Sequence, residues 1–457
     1  MVEGISNETR RRGARAEEQR PLSAPGVIST ILVFFAVFVP HWRSPICCYG
    51  SDSMWSIPAA MSIIREGNID LDEYEEITVT NDLWGELVVR RDDHYAVESI
   101  DGHLHTKFPV GASLVAVPFL FTMDRVSGHL LSLDLDEYIR HIGPGEFERF
   151  IASFVVAVTA VFVYLVAHLS LRTKCSLLLA FAFAFCTSSW STASRALWQH
   201  GPSMLMLTIT LYLILLAEKK PWLIQFASIP LAFSYVVRPT NSIPVVLLTV
   251  FAFIQYGQHF LRYLLWAMII AIPFLLFNLA VYDAVLSPYY LPQGLGSSNF
   301  LEALVGNLVS PARGLFVFSP VLLLSICGIV LKIKDKQFDK VDFFLLGIIF
   351  LHWISISSYG HWWAGHSFGP RFFSDMTPYF VYFLIPVLAG IPRLKGMRKA
   401  VLASALFCFV VFSLFVHYRG ATSWDVHVWN ARPVDVDRNP ARLWDWHDIQ
   451  FLRGIEF

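Results

Sequence analysis

Apolar runs of the length that crosses a bilayer, about 17–25 residues, recur along this chain and are joined mostly by short polar connections. The first covers roughly 26–42. Ten more follow at 150–170, 175–193, 201–217, 221–237, 241–256, 263–282, 314–331, 341–358, 372–391 and 400–416. The pattern predicts an all-α polytopic membrane protein with about eleven transmembrane helices. One connection breaks the rule: residues 43–148 form a long loop between the first run and the second.

That loop opens with Tyr49–Glu76, which places a carboxylate, Asp52, where the chain leaves the first run. A short amphipathic helix is expected after it. Ser56 can cap its start, Pro58 is tolerated in a first turn and Gly67 can end it. Ile57, Met61 and Ile64 share one side, so the helix should lie in the membrane interface and hold Asp52 near the surface. A second apolar stretch, Phe108–Met123, is short and carries Pro109 and Pro118. Acidic residues follow it over 124–148, so it reads as an interfacial or re-entrant helix on the outer side; a full crossing is the alternative.

Charge placement orients the chain. Residues 1–25 form a basic arm with Arg10, Arg11, Arg12, Arg15 and Arg20. With that arm in the cytoplasm, alternate threading puts Arg172 and Lys174, Lys219 and Lys220, Arg262, Lys332 to Lys340 and Arg393 to Lys399 on the same side. The body, 26–416, is then transmembrane, and 417–457 is an exoplasmic tail. A multi-pass protein of a bacterial-type inner membrane is the expectation. Composition agrees: of 457 residues, 55% are hydrophobic and only 16% charged, against roughly 25% charged in soluble domains. The net charge of −1 says nothing about partners; no nucleic-acid partner is expected, and six scattered cysteines have no metal-site or disulfide spacing.

The candidate chemistry falls on the outer side. Five single arginines stand at the outer ends of spans: Arg149, Arg195, Arg238, Arg313 and Arg371. Arginine pairs bidentately with phosphate and stays charged, so a convergent set suits a lipid-borne phosphate; snorkelling anchors are the bland reading. Arg238 and Arg371 each adjoin a proline that can break the helix there. The short outer loops also carry His200 and the run 359–372, where Trp362, Trp363 and His366 sit among glycines. Aromatic faces there could stack on sugar rings; an interfacial aromatic belt is the alternative. Lys107 could meet an anionic group. Asp52 is the candidate base, against the reading of a solvated or capping aspartate. The acidic run Asp70, Asp72, Glu73, Glu75 and Glu76 reads as a solvated face, with a divalent-ion site as the alternative; no metal or other cofactor is assigned.

These residues together resemble the GT-C superfamily of integral-membrane glycosyltransferases, which includes protein O-mannosyltransferases and lipid A aminoarabinose transferases. The carriers of the resemblance are Tyr49-Gly50-Ser51-Asp52 after the first span, Lys107-Phe108-Pro109-Val110 later in the loop, and Glu148-Arg149-Phe150 opening the second span. It covers about the first 170 residues in pattern and the rest in topology. It implies a GT-C-like fold, a polyprenyl-phosphate-linked sugar as donor, Asp52 as general base, outer arginines on the lipid phosphate, and a lipid, glycan or protein acceptor among membrane lipids. Two departures stand out: Asp52-Ser53 replaces the Asp-Glu pair of many members, and the tail is shorter than their soluble domains. The competing class is a multi-pass transporter or lipid flippase, which internal repeats and mid-membrane charges would mark. A non-catalytic membrane subunit is the third.

Overall fold

The computed structural model describes residues 24–48, 51–81, 85–130, 134–291, 296 and 298–455. The basic arm up to residue 23 and the Tyr49-Gly50 pair fall outside them.

The chain is mostly helical, and among the described residues seven helical segments are long and apolar enough to cross a membrane. Helix α1 (Ala24–Arg43) leads into the loop, where α2 (Ser56–Arg65) is followed by strands β1 (Glu76–Asn81), β2 (Gly85–Arg90), β3 (Val97–Ile100) and β4 (His103–Thr106). Then come α3 (Gly111–Leu130), α4 (Leu135–Ile142), α5 (Gly145–His168), α6 (Thr173–Phe185), α7 (His200–Ala217), α8 (Ile224–Val237), α9 (Ser242–Gln255) and α10 (Gly257–Tyr282). The C-terminal part has α11 (Phe300–Val309), α12 (Leu323–Lys334), α13 (Lys340–Ser357), an apolar segment over Arg371–Arg393 broken into short turns, and α14 (Gly396–Thr422).

The seven, counted among the described residues, do not confirm the eleven expected from the pattern, and several of the expected runs are broken within. The run at 175–193 leaves the α-helix at Phe185; the hydroxyl-rich stretch after Cys186 winds into a π-helical turn, Ser189–Ala193. There Thr187 Oγ1 donates to the Phe183 carbonyl and accepts from the Ser189 amide, in competition with the regular ladder. The run at 314–331 is split at Pro320, which opens a 3₁₀ turn ahead of α12. Other apolar helices, including Pro221–Val237 and Pro239–Gln255, are shorter than 18 residues.

The long loop is a folded unit with a core of its own. Met54, Trp55, Ile57, Met61, Leu71, Tyr74 and Ile77 pack with Ala116 and Leu120 of α3, Ile139 of α4 and Ile151 and Val155 of α5. Helix α2 is therefore not an interfacial helix with one free face: Ser56 through Ser62 are all buried. Its start lacks the expected Ser56 cap, since Trp55 holds the N-cap position without a side-chain bond. Its end is as expected: Gly67 takes φ +75° and its N–H joins that of Glu66 on the Ser62 carbonyl. Two antiparallel hairpins, β1–β2 and β3–β4, are an addition that the all-α reading did not contain. Helix α3 begins later than the apolar stretch Phe108–Met123 and runs on to Leu130; it packs on α2 and α8 and is not among the seven long apolar helices. Gly111 lets it approach α8, because a Cβ there would strike the Val237 backbone.

The tail is packed too. Trp429, Val436 and Leu443 join Trp362, Trp363, Ala303 and Ala312 in one small core, and Val426 and Phe451 join Phe318, Phe368 and Val416 in another. The loops after α1, α6, α8 and α13 thus meet at one end of the bundle. At the other end Lys332 pairs with Asp342, Tyr382 bonds both, and Lys340 donates to Gln255.

Candidate functional site

Asp52 sits in the turn before α2, closed by the Met54 amide on the Ser51 carbonyl. One carboxylate oxygen, Oδ2, forms an ion pair with Arg371, and the other, Oδ1, accepts from the Tyr95 hydroxyl at 2.8 Å. Burial alone would raise the Asp52 carboxyl; the Arg371 guanidinium and the bonds from Arg371 and Tyr95 outweigh it and hold it below its ordinary value. The Tyr95 phenol is pushed up, first by burial and then by the adjacent Asp52 charge.

Local backbone explains how the partners arrive. Arg371 follows Pro370 and opens a 3₁₀ turn, Arg371–Met376, which carries Asp375 four residues on. Arg238 precedes Pro239, so it is driven to an extended conformation (φ −155°, ψ 126°) that ends α8 and turns its side chain from the helix. His200 is the first residue of α7.

These groups form one network. Arg371 Nε donates to His200 Nε2 at 3.2 Å, and the His200 ring lies 2.7 Å from Arg238 Nη1 through Nδ1. Arg238 Nε pairs with Asp375 Oδ2 at 3.1 Å. Asp375 is fully buried, and its Oδ1 makes no hydrogen bond among the described residues. Arg371 also lies over the Trp198 ring, 4.4 Å from its centroid, while the Trp198 indole N–H donates to Ser51 Oγ at 2.9 Å. Gln199 donates to the Tyr289 hydroxyl at 3.3 Å, and Phe108 stands edge-on to Tyr289 at 5.4 Å.

A buried carboxylate sets this turn against the 195–199 loop. Glu148, the fourth residue of α5, accepts from Ser53 Oγ and from the Leu197 amide at 3.1 Å. The residue beside Asp52 and the residue before Trp198 thus share one acceptor.

Of the residues singled out in the sequence, Asp52, His200, Arg238 and Arg371 come together. Arg195 does not join them: fully buried, it donates to the carbonyls of His41, Ser44 and Ile46 and to Ser194 Oγ. Arg149 is held by Glu146 at 2.6 Å and by the Ser44 carbonyl. Arg313 is buried against the tail, donating to the carbonyls of Trp363 and Gly365 and to Gln450 and Asn430. Trp362 and Trp363 are buried in the tail core, with Trp363 Nε1 donating to Asp437 at 2.6 Å, and His366 pairs with Asp435 at 3.0 Å. Lys107 is exposed, within electrostatic reach of Glu98. So the 359–372 loop divides: its Trp and His residues serve the tail, and its last arginine serves Asp52.

Two triads among the described residues bring metal-type ligands close: Asp70, Asp72 and His103, and His366, Asp435 and Asp437. Neither contains Asp52, and in each the histidine is already paired with an aspartate.

Sequence reasoning did not reach Asp375, Tyr95, Trp198, Gln199 and Tyr289 as site residues, nor Glu148 as a ligand of the Asp52 turn. Asp375 alone carried a signal, as an acid inside an apolar run. A comparison with family models finds no match to this chain, and a comparison with curated proteins finds none either.

Proposed function

We propose that this chain is a membrane glycosyltransferase of the GT-C kind, moving a sugar from a polyprenyl-phosphate donor to a lipid, glycan or protein acceptor with Asp52 as general base. The observation that carries the reading is the Asp52–Arg371 pair with Arg238 and His200 behind it. An acid that can take a proton is paired with one guanidinium, Arg371, and a second, Arg238, lies across His200; Nη1 of Arg371 and Nη2 of Arg238 make no hydrogen bond among the described residues. A largely apolar groove of about 630 Å³ runs nearby, lined by Val110, Leu114 of α3, Phe233 of α8 and Phe274 and Phe277 of α10. A smaller recess with Phe108, Pro109 and Tyr290 continues it toward Tyr289. In this reading the groove takes the isoprenoid chain, and Phe108, which lines the recess and stands edge-on to Tyr289, marks the way to the cationic group.

In this mechanism the acceptor O–H or N–H gives its proton to Asp52 as its heteroatom attacks the anomeric carbon. The bond from that carbon to the phosphate oxygen breaks, and the electron pair leaves with the lipid phosphate. A singly charged phosphodiester becomes a doubly charged monoester, and the fixed guanidiniums of Arg371 and Arg238 face that developing charge. With a single carboxylate acting as base, direct displacement inverts the anomeric centre. The resting ion pair supplies a control: while Arg371 holds Asp52 the carboxylate is a weak base, and a bound phosphate competes for that guanidinium and restores its basicity. The outer face of a bacterial-type inner membrane, with the N-terminus cytoplasmic and the C-terminus exoplasmic, is part of the same reading.

The test is transfer of radiolabelled sugars from polyprenyl-phosphate donors to a membrane extract by purified wild type and Asp52→Asn in lipid. Transfer that Asp52→Asn loses while keeping donor binding supports the assignment; equal transfer by both removes Asp52 from the chemistry. A transporter or flippase is the second reading. It draws on His417, buried inside α14 with both ring nitrogens on hydroxyls, Ser191 and Ser319 at 2.7 Å each, since ionisable groups inside spans mark ion paths. Uptake or lipid flipping in proteoliposomes without any sugar transfer would decide for it.

A further inference from the structure

Three aromatic side chains from three distant parts of the chain meet at the mouth of the Asp52 site. Tyr95 comes from the turn before β3, Phe108 from the turn before α3, and Tyr289 from the connection after α10. Phe108 lies between the others, 6.5 Å from Tyr95 and 5.4 Å from Tyr289, edge-on to both. Packing does not explain their position. Tyr95 is 56% exposed and Tyr289 38% exposed, while Trp198 and Trp55 at the same site are buried. Their polar ends are fixed nevertheless: Tyr95 by Asp52, Tyr289 by Gln199. The connection that carries Tyr289 is itself tied down, by the Tyr290 hydroxyl on the Val236 carbonyl at 2.7 Å and by the Ser287 amide on Asn278 Oδ1 at 2.8 Å.

We infer that Tyr95, Phe108 and Tyr289 form a collar that holds the ring of the transferred sugar, and that this sugar is a neutral pyranose. The inference rests on the donor reading above and deepens it. An aromatic face is electron-rich, and the C–H face of a pyranose is apolar and slightly positive, so the two stack. Rings held at their polar ends and open on their faces are ready for such a partner without further ordering, which keeps the entropic cost of binding low.

The charges around the collar decide the class. Asp52 is held by Arg371 at rest and is committed to the acceptor's proton during transfer, and Asp375 is paired with Arg238. Glu98, the next acid on β3, is within reach of Lys107. No unmatched carboxylate among these groups is left to bind an amino sugar. A sugar acid would compete with the phosphate for the same two guanidiniums. What remains to read the hydroxyls is neutral: the Gln199 amide and the Tyr289 hydroxyl.

The experiment measures binding by the full chain in lipid nanodiscs. The probes are a short-chain polyprenyl phosphate without sugar and its hexosyl, aminohexosyl and hexuronosyl derivatives. Wild type is compared with Tyr289→Ala, which opens the collar, and Tyr289→Leu, which keeps bulk but removes the ring. The expected result is that wild type binds the hexosyl derivative tightest. Its margin over the bare phosphate should shrink about three- to ten-fold in each variant, with affinity for the bare phosphate unchanged. Equal weakening of both lipids in the variants would overturn the collar, as would tightest binding of a charged sugar or a wild type with no margin. If wild type binds none of the four, the donor reading falls and takes the collar with it.

Discussion

Asp52 and Arg371 stand 319 positions apart in the chain and meet in an ion pair, with Tyr95 on the carboxylate's other oxygen. Nothing local to either residue creates this contact. It requires α2, the Trp198 loop and the turn after Pro370 to be in register, so the pair reports whether the whole end of the bundle is assembled. Asp52→Asn keeps size and hydrogen bonding but cannot take a proton. Sugar transfer should fall at least 10²-fold, within the range ascribed to a general base, while donor affinity changes little.

The two groups of arginines should separate cleanly. Arg371→Lys keeps a charge but loses the fork and the contact with the Trp198 ring; transfer should drop about 10²-fold or more with the fold retained. Arg195→Met should instead lower thermal stability, since the carbonyls of His41, Ser44 and Ile46 would lose their donor, at about 1–3 kcal/mol for each group left unpaired. Thermal unfolding in detergent together with initial rates distinguishes the two. A loss of transfer without loss of stability in Arg195→Met would contradict the division.

Acid should expose the Asp52 pair. Its carboxyl is held below the usual value of about 3.9, so the stability it confers is complete above that pH and is lost as pH falls through the depressed value. The difference in melting temperature between wild type and Asp52→Asn should be flat from pH 8 to about 5 and shrink below about 4. In Arg371→Met burial acts on the carboxyl without its main counterweight, so the acid limb of transfer should move to higher pH. An unmoved limb would show that Asp52 is not the group titrating.

Glu148 joins the Asp52 turn to the Trp198 loop through Ser53 and Leu197. Glu148→Gln retains an acceptor oxygen and should keep most of the stability. Glu148→Ala leaves two buried donors unsatisfied, a cost of about 2 kcal/mol or more, and should lower the rate by misplacing Asp52. Rescue by Gln but not by Ala, read in both melting and rate, marks positioning rather than proton transfer.

Gly328 of α12 faces the Phe383 carbonyl, and a Cβ there would run into it. Gly328→Ala should cost about 1–3 kcal/mol from overpacking and lower the melting temperature without shifting the pH profile. Gly128, with open space around its missing Cβ, is the control.

The apolar pattern identified the helical segments, because burial in lipid or in the bundle demands hydrophobic length. It did not show where a run is interrupted, because the same composition serves a helix broken by Pro320 or unwound by the hydroxyls after Cys186. The hairpins were illegible: β1 to β4 are only four to six residues long, too short for alternation to stand out, although Ile77 and Val97 join the loop core. Among the arginines, chain position could not tell a guanidinium spent on carbonyls, as in Arg195 and Arg313, from one set against a carboxylate, as in Arg371. Proline beside Arg238 and Arg371 did carry information, because it frees the backbone that aims them. The aromatic loop misled for a physical reason. Glycines that permit an irregular loop permit an inward one equally, and here Trp362 and Trp363 turn toward the tail.

Arg195 closes the exit of α1 from 154 positions downstream. At a synthesis rate of about 5–20 residues per second, those carbonyls leave the ribosome roughly 10–30 s before their donor does. The first span must therefore insert with its exit turn unclasped, and the Asp52 turn waits longer still for Arg371. Order of emergence thus imposes order of assembly: the acidic loop and α5 can form their own core early, the clasp locks them to the bundle, and the charged pair is completed only when the chain is nearly finished. A nascent chain ending before residue 371 would lack the pair and, with it, the core residues Phe373, Met376 and Tyr379.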